Sequence, residues 1–124
     1  MITKENLSKL LEQTQEIAKE VGAFIRKERQ HFDVEKVEHK GFNDLVSYVD
    51  KEAERQIVEK LSAIFPESGF ITEEGTSTTK GEKYNWVIDP LDGTTNFIHG
   101  IPVFSVSIAL MEEEKVIMGV VYEV

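Results

Sequence analysis

The stretch Trp86-Val87-Ile88-Asp89-Pro90-Leu91-Asp92-Gly93-Thr94-Thr95-Asn96-Phe97 decides how this chain is read. Its first three residues make a short, apolar, buried strand, which Pro90 and Gly93 are expected to end. Asp89 then sits at a strand tip, where connecting residues commonly carry function. Gly93 allows close approach of backbone to a ligand, and the N–H groups after it suit an anion at a helix start. Two carboxylates three residues apart beside an anion cradle make chemical sense with a divalent cation between them. The same residues also have a plainer use. Asp-Pro and Asp-Gly are ordinary turn dipeptides, and Asp92 can cap a short helix at Thr94 or Thr95.

Working outward, Phe70-Ile71-Thr72-Glu73-Glu74-Gly75 is a second short apolar run, ending in paired acids and a glycine. Further upstream lies Asn43-Asp44-Leu45-Val46-Ser47-Tyr48-Val49-Asp50, and downstream come the apolar runs Phe104–Leu110 and Gly119–Tyr122. Together these segments resemble the inositol monophosphatase family, magnesium-dependent phosphatases of small phosphorylated polyols. The string from Trp86 to Phe97 resembles the family signature. The Glu73-Glu74 element and the Asp44-Leu45-Val46-Ser47-x-x-Asp50 element resemble two more of its motifs, with Ser47 where the family has Thr. The resemblance runs from about Leu7 to the last residue.

The resemblance implies a division of labour at the site. Glu73, Asp89 and the backbone carbonyl of Leu91 would hold a first Mg2+, Asp89 would bridge to a second that Asp92 also contacts, and Glu73 would face a third through waters. Gly93, Thr94 and Thr95 would meet phosphate oxygens through their N–H groups, next to Asp92. Thr94 Oγ and Asp50 would orient and deprotonate the attacking water. Magnesium takes hard oxygen ligands and keeps several waters, so this donor set has the right chemistry. Each residue has a plainer alternative: Glu73 and Glu74 as a solvated loop pair, and Asp50 as a helix cap or first-turn acid.

Family members continue for about as many residues again. Residues 1–124 are therefore expected to be the N-terminal portion of such an enzyme, with the C-terminal half absent. That half brings another metal-binding aspartate, most substrate-hydroxyl contacts and a second sheet. The expected fold is α+β, with two N-terminal helices packed on an antiparallel sheet, as in half of the layered αβαβα sugar-phosphatase fold. The strand ending at Val124 should then leave an open edge or an uncovered apolar face.

Helical periodicity places an amphipathic helix from Leu7 to about Glu28, with Leu7, Leu10, Leu11, Thr14, Ile17, Ala18, Val21, Phe24 and Ile25 on its core face and Thr3 as its cap. A second helix is read from about Val49 to Ile64, with Ala53, Ile57, Leu61 and Ile64 inward, ended by Pro66. Residues 32–39 are read as extended, and Met111–Lys115 as a hairpin turn. Helices followed by strands suggest an α+β domain.

Composition excludes more than it identifies. The 124 residues carry Lys+Arg 14 against Asp+Glu 23, a net charge of −9, which disfavours nucleic acid as a partner. There is no cysteine, so neither disulfides nor thiol chemistry is available. His31, His39 and His99 lack metal-ligand spacing. Lys40, beside Gly41, lies near the expected mouth of the site, although a lone lysine there is ordinary surface. Without a signal-peptide core or a spanning run, a cytoplasmic location away from membranes is the expectation. The Asn6-Leu7-Ser8 sequon then carries no meaning. The resemblance further implies a homodimer. Two other readings stand beside the polyol phosphatase. One is a phosphatase of the same superfamily acting on a sugar bisphosphate or a 3′-phosphonucleotide. The other is a non-catalytic fragment binding a cation or a partner.

Overall fold

A computed structural model describes residues 2–30, 39–72, 80–93 and 104–124. Helix α1 spans Lys4–Gln30. Thr3 caps it, its Oγ1 accepting the Asn6 N–H at 3.1 Å while its carbonyl accepts the Leu7 N–H at 2.9 Å. Of the stripe the periodicity predicts, Leu10, Thr14, Ile17, Ala18, Val21 and Ile25 are buried, and Leu7, Leu11 and Phe24 are half-buried against the core. Thr14 sits in this stripe at no cost to satisfaction, because its hydroxyl donates to the Leu10 carbonyl at 2.7 Å.

Helix α2 spans His39–Ile64, ten residues more at its start than the periodicity suggested. The reading of Asp50 as a helix opener is thereby corrected: Asp50 lies mid-helix, at neither the N-cap nor the first turn. His39 is helical rather than extended, and the remainder of the 32–39 segment lies outside the described residues. Of the residues expected inward, Ala53, Ile57 and Leu61 are buried and Ile64 is half-buried, and Val49 is buried with them.

Four strands follow: β1 (Gly69–Thr72), β2 (Tyr84–Asp92), β3 (Ser105–Glu112) and β4 (Lys115–Glu123), in the sheet order β1-β2-β3-β4. β2, β3 and β4 are antiparallel as expected, but β1 runs parallel to β2, so the sheet is mixed. A parallel neighbour needs the chain to return to the strand start before pairing. Asn85 secures that return. It accepts the Gly81 N–H at 2.7 Å and donates to the Gly81 carbonyl at 3.1 Å. Gly69 packs against the same point so closely that an added Cβ would lie 1.9 Å from the Gly81 nitrogen. The β3–β4 hairpin turns through Glu113 and Glu114, with Glu113 at φ 56°.

Both helices cover one face of the sheet, α1 against β3 and β4, α2 against β1 and β2. Trp86 is at the centre, fully buried, its Nε1–H donating to Ser68 Oγ at 2.9 Å. Ser68 in turn donates to the Phe65 carbonyl at 2.6 Å, which stiffens the turn between α2 and β1. The opposite face carries no described helix. Ile71, Val87 and Val121 are exposed there, the last at 71%, and β4 is an edge strand. Among the described residues, then, the β4 edge is open and no helix covers this apolar face, as expected of one or the other. Among the described residues no helix is long and apolar enough to cross a membrane.

Candidate metal and phosphate site

β2 does not end at Ile88. It continues through Pro90 to Asp92, correcting the expected stop at Pro90. Pro90 has no N–H to give to a ladder, so it is tolerated only where pairing is already interrupted. That condition is met on the β3 side. Among the described residues β1 pairs with β2 as far as Ile88, and the pairing with β3 is irregular between Asp89 and Asp92.

That irregularity makes the site. Asp89 opposes Ser107 and Asp92 opposes Ser105, so three steps along β2 match two along β3. One extra residue in β2 is a bulge. In a regular strand, residues three apart point to opposite faces. The extra residue cancels the odd step. Asp89 and Asp92 therefore both share a face with Ser105 and Ser107, while Pro90 and Leu91 are both buried. Without the bulge, one of the two carboxylates would be driven into the core.

The shared face is the open one. A groove of about 410 Å³ runs across it, lined by Ile71, Val87, Asp89, Ser107, Ala109, Gly119 and Val121 among others. The pairing aligns Ile71, Val87, Ala109 and Gly119 in one apolar row. Asp89, Ser107 and Val121 form the next row, followed by Asp92, Ser105 and Glu123. Polarity thus rises toward the C-terminal end of β2. Gly93 follows with φ 92°, a conformation that side-chain-bearing residues rarely adopt. A groove of equal volume near Ile2, Lys9, Phe65 and Tyr84 lies at the other end of β2 and holds none of the candidate residues.

Asp50 belongs to the same end of the molecule. α2 reverses into β1 within four residues, so the two run oppositely, and Gly69 of β1 opposes Asn85 of β2. Asp50 lies fourteen residues before Ile64, about 21 Å along the helix. Asp92 lies seven residues after Asn85, about 23 Å along the strand. Asp50 is half-buried in the helix layer, and Asp89 and Asp92 are on the open face. The end of the sheet is where these layers meet. Glu73, Thr94 and Thr95 lie outside the described residues.

Among the described residues no group of three or more His, Cys, Asp or Glu side chains is placed to hold a metal ion. The pair present still fits magnesium, which is commonly held by one or two carboxylates, with waters and substrate phosphate completing its shell. The Leu91 carbonyl, in the bulge between the two acids, is a third oxygen of the right hardness. Sequence reasoning found these residues by motif but missed the bulge. Its only sequence signal was a proline inside a strand between two acids.

The model of the inositol monophosphatase family matches residues 6–124. The chain is 42% identical over 118 residues to a fructose-1,6-bisphosphatase/inositol-1-monophosphatase of Aquifex aeolicus, covering 95% of this chain and 45% of that protein. It is 44% identical over 112 residues to inositol monophosphatase 2 of Solanum lycopersicum, covering 86% and 42%. The crystal structure of inositol monophosphatase II from Staphylococcus aureus superposes with a TM-score of 0.78 at 30% identity, covering 93% of this chain and 42% of that one. The chain spans less than half the length of these relatives.

Proposed function

The chain belongs to the inositol monophosphatase family, and from that premise we propose that it forms the acidic, phosphate-facing part of a magnesium-dependent phosphatase acting on myo-inositol monophosphate or a similar small polyol phosphate. The observation that carries this reading is the bulge that puts Asp89 and Asp92 on one face. Asp89, Asp92 and the Leu91 carbonyl, joined by Glu73, are the proposed holders of two or three Mg2+ ions. When bound, these ions neutralise phosphate oxygens and lower the pKa of water.

The chain's own residues do the rest. Gly93, free of a side chain, lets the backbone close on the phosphate, and the Thr94 and Thr95 N–H groups donate to its oxygens. Thr94 Oγ and Asp50 form the proposed proton-accepting pair. A carboxylate is a weak base and suffices only because the water's proton is already loosened. The same proposal includes a homodimer in the cytoplasm. It also holds that residues 1–124 alone turn over little substrate, because relatives of more than twice the length match this chain over less than half of theirs.

A second reading, hydrolysis of a sugar bisphosphate, is favoured by the name of the Aquifex relative. A phosphate-release panel decides between them. It comprises inositol 1-phosphate, fructose 1,6-bisphosphate and a 3′-phosphonucleotide, each with Mg2+ and with EDTA, on a protein containing this chain and on its Asp89→Asn variant. Highest kcat/KM on the inositol ester, lost in the variant, is the expected result. Preference for the bisphosphate selects the second reading. Turnover that survives EDTA and Asp89→Asn overturns both.

A further inference from the structure

Four polar side chains are buried among the described residues: Thr14, Ser68, Asn85 and Glu54. The first three serve the scaffold: Thr14 bonds back to its own helix, Ser68 receives Trp86, and Asn85 clasps Gly81. Glu54 differs in kind. It is fully buried on the α2 stripe otherwise made of Val49, Ala53, Ile57 and Leu61. A methionine or leucine would pack there without any need for polar partners. A carboxylate is tolerated only when hydrogen-bonded. Glu54 is partnered, and no buried side-chain nitrogen or oxygen among the described residues lacks a hydrogen bond.

Glu54 is four residues after Asp50, one turn along the same side of α2. It lies ten residues before Ile64, about 15 Å along the helix. Asp89 and Pro90 lie four and five residues beyond Asn85, about 13 to 17 Å along β2. Glu54 is therefore level with the start of the bulge, on the core side where Pro90 and Leu91 are buried. We propose that Glu54 is a positioning residue for this site. From the helix layer it holds the bulged end of β2 and so sets the spacing of Asp89 and Asp92 from Asp50. The proposal rests on the metal-site reading above.

Groups behind metal ligands typically alter metal affinity by about 10- to 100-fold when removed. The test is Mg2+ binding by calorimetry, with the melting temperature in EDTA measured beside it, for Glu54→Met and Glu54→Gln. Removing one member of a buried, partnered pair is destabilising, because the other is left unsatisfied. Glu54→Met should therefore melt below the wild-type temperature in EDTA and, while still folded, bind Mg2+ at least about tenfold more weakly. Wild-type affinity in a folded Glu54→Met overturns the proposal. If that variant does not fold, Glu54→Gln, which keeps the shape, carries the test: weaker binding supports the role and unchanged binding overturns it. Asp89→Asn separates the two levels of argument. Loss of binding there with none in Glu54→Gln sinks only the role of Glu54. Binding retained in Asp89→Asn sinks the metal-site reading itself.

Discussion

Replacing Asp92 by Asn should make the protein more stable without magnesium and less responsive to it. Asp89 and Asp92 oppose residues two apart on β3, so their backbones are about 7 Å apart on one face. Two unit charges at that distance repel by about 0.6 kcal/mol in water and by more as the dielectric falls. Asp92 is exposed, so the lower figure applies. For a domain of this length, 1 kcal/mol moves the melting temperature by about 4 °C. Asp92→Asn should thus melt about 2 to 3 °C higher in EDTA at low salt. The gain should vanish at about 1 M salt, where screening acts within about 3 Å. In the wild type, Mg2+ at ten times its Kd should contribute about 1.4 kcal/mol. That is a rise of about 5 to 6 °C, and the variant should lose most of it. Differential scanning fluorimetry in EDTA, in Mg2+ and in high salt reads all three quantities. A variant that melts lower in EDTA, or keeps the full Mg2+ rise, would show that the two acids do not share a face.

Three further expectations follow from the same structure. Trp86→Phe removes the Nε1–H bond to Ser68 and leaves a void in the centre of the core, and should lower unfolding free energy by about 2 kcal/mol in a guanidinium titration. Gly69→Ala forces a methyl group against the Gly81 backbone, so a loss of about 1 to 3 kcal/mol and weakened amide protection in β1 are expected; an unchanged exchange pattern would refute the close approach. Arg55 holds the Glu52 carboxyl below its ordinary value, chiefly through its side-chain hydrogen bonds at 2.6 and 3.0 Å. Because that folded-state value is depressed, the pair's stabilisation is present at neutral pH and is lost as pH falls through it. Arg55→Ala should return Glu52 toward the ordinary range, as followed by NMR titration of its side chain.

Much of the fold was legible because it is local. The Leu10–Ile25 stripe and its Thr3 cap depend on residues within a turn or two of each other, and both formed as read. The start of α2 was not legible, since the ten residues before Val49 include Gly41 and lack a clean apolar stripe, so nothing in their own pattern demanded a helix. The parallel pairing of β1 was hidden for another reason. It depends on Asn85 clasping Gly81 and on Gly69 packing beside it, contacts that join separate segments.

The site divides the same way. By itself, the sequence determined which groups are present: two acids three apart, a glycine, two threonines, and an acid on a preceding helix. Residue types and their spacing along the chain carry that chemistry. Only the tertiary structure decided that the two acids face the same way. In an isolated strand their odd spacing would turn one of them inward. Pairing with Ser105 and Ser107 of a strand thirteen residues further on absorbs the extra residue as a bulge, and a register of that kind exists only once the two strands have met.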